Sequence, residues 1–147
     1  MKSAVLLIAI AAATLAPAAM AADFKSVGGS PAIMYDAPSE RGRKVFIAPR
    51  GMPVEVILSY GEWTKVRDVS GDLSWVEAKA LDARRHVVVN AASGKVRSAA
   101  DEASPVVFTA ERGVLLELAE PISSGWIKVR HRDGQGGYIR ASEVWGD

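Results

Sequence analysis

Trp63-Thr64-Lys65-Val66-Arg67 returns later in the chain as Trp126-Ile127-Lys128-Val129-Arg130. The likeness extends in both directions. From each Trp, a Gly (Gly71, Gly134), a second aromatic (Trp75, Tyr138) and an aliphatic closer (Leu81, Val144) follow at the same offsets. Upstream, Gly51-Met52-Pro53-Val54-Glu55-Val56-Ile57 answers Gly113-Val114-Leu115-Leu116-Glu117-Leu118-Ala119, and only the segment leading to the Trp differs in length, by one residue. A looser echo joins Ala37-Pro38-Ser39 before Val45-Phe46-Ile47 to Ala103-Ser104-Pro105 before Val106-Val107-Phe108. A repeat of this kind makes each copy a structural unit.

Within a copy the apolar period is two. Val54, Val56 and Leu58 alternate with Glu55, Ile57 and Ser59, and Trp63, Lys65 and Arg67 face away from Thr64, Val66 and Asp68. Leu116 with Leu118 and Ile127 with Val129 behave alike, as strands with one buried face require. Turn chemistry separates the runs at Ser59–Glu62, Val69–Asp72, Ser123–Gly125 and Arg132–Gly134. Asp133-Gly134 predicts a tight hairpin, because both residues tolerate positive φ. Only Glu77–Asp82 and Ala141–Val144 have room for a helical turn. The pattern predicts an all-β protein of two small barrels in tandem, of about five short strands each, over residues 22–84 and 85–147. The junction Leu81–Val89 is apolar and β-branched, unlike a Gly/Ser tether, and predicts a strand packed on one or both barrels.

Ahead of the repeat, Met1-Lys2 is a short positive start, Ala4–Ala13 is apolar, and Ala19 and Ala21 offer the small side chains of a cleavage site. A cleaved signal peptide over residues 1–21, cut after Ala21, is expected. A spanning helix needs about 20 apolar residues, whereas Pro17 and Asp23 interrupt this one. With no Cys to carry a lipid, no stable membrane anchor is expected, and the mature protein is expected to be periplasmic or secreted.

The 147 residues carry 18 Lys+Arg, 17 Asp+Glu, two His and no Cys. The leader takes Lys2 with it, so the mature charge is zero, which argues against nucleic acid as a partner. Without thiols, disulfides, thiolate metal sites and cysteine nucleophiles are excluded. His86 and His131 lie among arginines with no hydroxyl and carboxylate arranged around them, and read as structural or surface residues. Asp101-Glu102 and Glu117 with Glu120 read as solvated charge. Phosphate loops, acidic metal loops and nucleophile elbows are absent, so neither an enzyme nor a metal or cofactor is expected.

Glu62-Trp63 or Gly125-Trp126, the Lys-Val-Arg strand, the Gly turn, the aromatic-aliphatic pair Trp75-Val76 or Tyr138-Ile139 and the short helical turn together resemble the bacterial Src-homology-3 (SH3) domain. Ala32–Ser39 followed by Lys44-Val45-Phe46 is similar to the opening of its exported proteobacterial members. The resemblance covers essentially the whole mature chain. It implies a tandem of β-barrels acting as a non-catalytic targeting or interaction module, with cell-wall peptide or glycan, or an envelope protein, as partner. The second copy departs from the pattern at Ser98–Asp101, where a Gly/Pro-rich loop is expected. The alternative is a structural or assembly subunit of an envelope complex, acting by strand-edge pairing with no glycan ligand.

Among the aromatics, Trp63 and Trp126 start strands and are expected in the core. Tyr35, Trp75 and Tyr138 are the candidates for a ligand groove, since such rings offer a large apolar face with a polar edge. Arg43 and Lys44, beside the Tyr35–Ser39 loop, are the candidates to meet the carboxylates of a wall peptide.

Overall fold

A computed structural model describes residues 21–147; the expected leader, apart from Ala21, lies outside the described residues. The first half forms β1 (Phe24–Val27), β2 (Ala32–Tyr35), β3 (Lys44–Ala48), β4 (Pro53–Tyr60), β5 (Trp63–Arg67), β6 (Leu73–Glu77) and β7 (Leu81–Asp82). The second forms β8 (His86–Val89), β9 (Ser93–Arg97), β10 (Val106–Glu111), β11 (Leu115–Ser123), β12 (Trp126–Arg130), β13 (Gly136–Arg140) and β14 (Val144–Trp145). The sheets run β3-β2-β6-β5-β4-β1-β7 and β10-β9-β13-β12-β11-β8-β14, the same topology twice. Single turns of 3-10 helix at Ala78–Ala80 and Ala141–Glu143 occupy the two expected positions.

Each unit has seven strands rather than five. The extra pair opens and closes each copy: β1 pairs with β4 and β7, and β8 pairs with β11 and β14. The apolar junction divides between the two barrels as β7 and β8, with the Asp82 carboxylate accepting the Arg84 backbone N–H at 2.8 Å in the corner. Val27, Met34, Val54, Val66 and Val76 fill the first core, and Val87, Val89, Val96, Leu116, Ile127, Val129 and Ile139 the second.

Two local expectations change. A bulge between Val56 and Leu58 ends the alternation of β4, so Ile57, Leu58, Ser59 and Tyr60 are all exposed. The end of β4 runs past the core there, and of its side chains Tyr60 meets Trp75 on the outer side of the sheet. Asp133-Gly134 does lie in the β12–β13 hairpin, but only Gly134 of the pair has positive φ, at 93°. His131–Gln135 form a wider loop, in which Gly134 N–H donates to the His131 carbonyl at 2.9 Å and the Asp133 carboxylate accepts the Gln135 N–H at 2.9 Å.

The barrels are tied to each other. The buried Ser26 hydroxyl accepts the His86 backbone N–H at 3.0 Å, and the Arg85 guanidinium lies over the Phe24 ring, 5.6 Å from its centroid. Phe24 meets Trp145 edge to face, with centroids 5.0 Å apart. Gly146 has φ +109°, and a Cβ there would lie 2.8 Å from Pro53, so the end of the second barrel closes tightly on the first.

His86 sits at this seam, against Gly51. Burial pushes its imidazole below 6.5, helped by Arg84 and Arg50 and opposed by a backbone bond to Arg84 and by Glu117. The unfolded chain titrates near the unperturbed value of about 6.5. Below that pH it takes up a proton that the folded state resists, so the stability contribution is whole above 6.5 and is lost as pH falls through the lowered folded value. Between pH 7.5 and 5.5 (about the range over which histidine titrates), the urea midpoint of the wild type should fall more than that of His86→Gln. Parallel falls would refute this account.

Candidate functional site

The residues following β2 build their own loop. Asp36 accepts the Arg43 backbone N–H at 2.8 Å and donates its own N–H to the Arg43 carbonyl at 3.0 Å, closing the loop at its base. Inside it, the Ser39 hydroxyl accepts the Arg41 N–H at 3.1 Å. Asp and Ser side chains commonly hold turns in this way. Facing the loop is the 3-10 turn Ala78–Ala80, anchored where Ala78 N–H donates to the Glu62 carbonyl at 2.8 Å.

Between loop and turn lies a groove of about 760 Å³, lined by Pro38–Arg41, Glu62, Trp63 and Glu77–Lys79. Half-buried Trp63 is its aromatic surface, braced from beneath by Tyr35 edge to face at 5.4 Å. The rim carries both signs of charge. Lys79 bonds the Glu77 carboxylate at 3.1 Å and holds that carboxyl below the ordinary range, with Glu40 as a second hydrogen-bonding neighbour; the same pairing raises Lys79.

Trp63 is therefore not the core residue expected of a strand start. The inward residues of β5 are the buried Thr64 and Val66, which puts Trp63 on the other face, under the loop. Conversely Tyr35, expected in the groove, is only 8% exposed and works as packing behind Trp63. Trp75 lies on the outer face of the sheet beneath Lys65 and beside Tyr60, with the Lys65 nitrogen 5.9 Å from its ring. Tyr138 is its counterpart in the second barrel, beneath Lys128 at 5.9 Å. Arg43 and Lys44 are exposed, and Arg43 is turned to Asp36 at 3.5 Å; neither lines the groove. The five residues do not come together as one site.

At the matching place in the second barrel the geometry is closed. Arg140 lies over Trp126, its guanidinium carbon 4.5 Å from the ring centroid, and bonds Glu102 of the loop at 2.7 Å. Trp126 is left 7% exposed. Along the repeat Arg140 corresponds to Glu77. An arginine can stack on the indole and clamp the loop, whereas the glutamate turns to Lys79. That exchange of charge at one repeat position was the available signal for the residues missed in the sequence, Glu40, Glu62, Glu77 and Lys79 around Trp63. It acquires meaning only once strand β6, strand β5 and the loop are known to converge.

Residues 28–83 and 90–146 each match the family described as bacterial SH3 domain. Among solved structures, NlpC2 from Trichomonas vaginalis is similar over 86% of this chain and 49% of its own, at 11% identity and a TM-score of 0.40. NlpC1 from the same organism is similar over 96% and 51%, at 10% identity and a TM-score of 0.40. An NlpC/P60 family protein from Bacillus cereus ATCC 10987 is similar over 83% and 55%, at 15% identity and a TM-score of 0.38. The chain thus spans about half the length of these proteins. No curated protein matches it.

Proposed function

This chain belongs to the bacterial SH3 domain family, and we propose that it is an exported, non-catalytic binding protein that takes cell-wall peptide into the groove of its first barrel. Bacterial SH3 domains are often binding modules. The observation that carries the reading is the contrast between the two barrels: Trp63 stands open between charged rims, while Trp126 is plugged by Arg140 and Glu102. An extended wall peptide presents free amines and carboxylates along a short backbone. Glu40, Glu62 and Glu77 suit the first, Arg41 and Lys79 suit the second, and the indole face takes the aliphatic stretches between. Export rests on the leader pattern of residues 1–21.

Washed sacculi incubated with the mature protein test this. Trp63→Ala should reduce retention about tenfold or more, the loss typical of an aromatic anchor, while Arg140→Ala should not reduce it. Equal retention of the wild type and Trp63→Ala, with both folded by circular dichroism, would overturn the reading. Release of soluble wall fragments during the incubation would overturn its non-catalytic part.

A second reading has its own observation. Strand β3 is a sheet edge whose Val45, Phe46 and Ile47 are exposed, Ile47 to 68%. An unpaired apolar edge accepts a strand from another protein. An assembly subunit working in this way would keep its partner when Trp63 is changed and lose it in Ile47→Pro, where a backbone donor is removed.

A further inference from the structure

A second concavity, of about 1030 Å³, lies between the two barrels. Arg50 reaches it from the first barrel, Arg84 from the junction, and Arg130 and Arg132 from the end of β12. Two carboxylates face these four guanidiniums. Glu117 serves both Arg84 at 3.4 Å and Arg130 at 3.1 Å through one oxygen, and Asp82 is engaged with the Arg84 backbone. Among the described residues, Arg50 and Arg132 have no carboxylate within ion-pair distance. In a mature chain of zero net charge, the cleft is a local concentration of positive charge. Its walls include Gly28, Gly29, Gly51 and Gly113, which keep it free of side chains there; the N–H groups of Gly28, Gly51 and Gly113 are bonded to the Ala80, Val27 and Val89 carbonyls, so recognition falls to the arginines.

We propose that this cleft binds an anionic ligand of sugar size that displays oxyanion groups, either phosphate or carboxylate. A guanidinium presents paired N–H donors that match either group, and low-dielectric walls concentrate the positive charge left once Glu117 and Asp82 are set against the four arginines. The contacts of Ser26, Arg85 and Trp145 hold the barrels in register, so the backbone positions that carry the arginines of both halves are set around the cleft before a ligand arrives, which lowers the ordering cost of binding. The cleft would fill independently of the Trp63 groove. It also gives the two histidines a common location that the sequence concealed: His86 and His131 both line it.

The probes are inorganic pyrophosphate and tricarballylate, titrated calorimetrically into the mature protein at low salt. Pyrophosphate binding alone would identify phosphate as the recognised group, and tricarballylate binding alone would identify carboxylate. In either case the double variant Arg50→Gln, Arg132→Gln should weaken binding about tenfold or more, in line with loss of charge-assisted bonds. Both residues are exposed, so the variant should melt with the wild type. Trp63→Ala should leave the titration unchanged, which separates this site from the groove. Binding of neither probe, or equal binding by the wild type and the folded double variant, would overturn the proposal.

Discussion

Valine at position 137 should leave the second barrel unable to close. Gly137 lies on β13 where that strand passes β9, and a Cβ there would run into the Arg97 carbonyl oxygen and come within 2.9 Å of Val96. Neither neighbour can retreat easily, since one is backbone and the other is a core residue. The strand must therefore move, and with it Ile139, buried in the same core. Overpacking of a core costs about 1–3 kcal/mol and occasionally more; with a β pairing broken as well, the loss in Gly137→Val should reach several kcal/mol. Small domains are stable by about 5–15 kcal/mol, so much of the margin goes. Far-UV circular dichroism on heating should show an early or missing transition. The first barrel solved the same position differently: the corresponding residue is Ser74, whose side chain fits and reaches the Met34 sulfur at 3.2 Å. Ser74→Gly should accordingly be mild. A Gly137→Val protein melting within about two degrees of wild type, a shift of well under 1 kcal/mol, would show that β13 and β9 are not packed as described.

Leu116→Ala should also be severe, and Leu58→Ala nearly silent, although both leucines occupy the alternating apolar register of their strands. Leu116 is 0% exposed, among Val87, Val89, Ile127 and Ile139. Its truncation removes buried methyl groups and leaves a cavity, at a cost of about 2–5 kcal/mol. Leu58 lies beyond the bulge of β4 and is exposed, so its truncation should stay within about 0.5 kcal/mol. Urea denaturation of the two variants beside the wild type measures both. A loss at Leu58 comparable to that at Leu116 would mean that the β4–β5 hairpin is covered in solution, either by strand addition or by a second copy.

The contrast between Leu58 and Leu116 marks how far local pattern reaches. Alternation locates a strand and its inner face while the strand lies over a core. It does not say where the core stops, and a bulge shifts the parity without leaving a sign in composition. Asp133-Gly134 does mark the β12–β13 hairpin, but the Asp133 carboxylate and the His131 carbonyl stabilise a loop longer than two residues. Strand β1 was not counted in the first copy because it is short and is held only by its pairing with β4 and β7.

Repeat spacing, period-two alternation and the placing of turn residues were enough for an all-β chain in two equivalent units, because these are properties of neighbours along the backbone. The same signals carried the likeness to the bacterial SH3 family, which the match to residues 28–83 and 90–146 bears out. Which aromatic is open was a different matter. Trp63 and Trp126 are equivalent in sequence, and their fates diverge because residues far along the chain converge on them, Glu77 and Lys79 on one, Arg140 and Glu102 on the other. The arginine cleft is further still from local pattern. Its charges come from both halves and meet only because Ser26, Phe24 and Arg85 lock one barrel against the other.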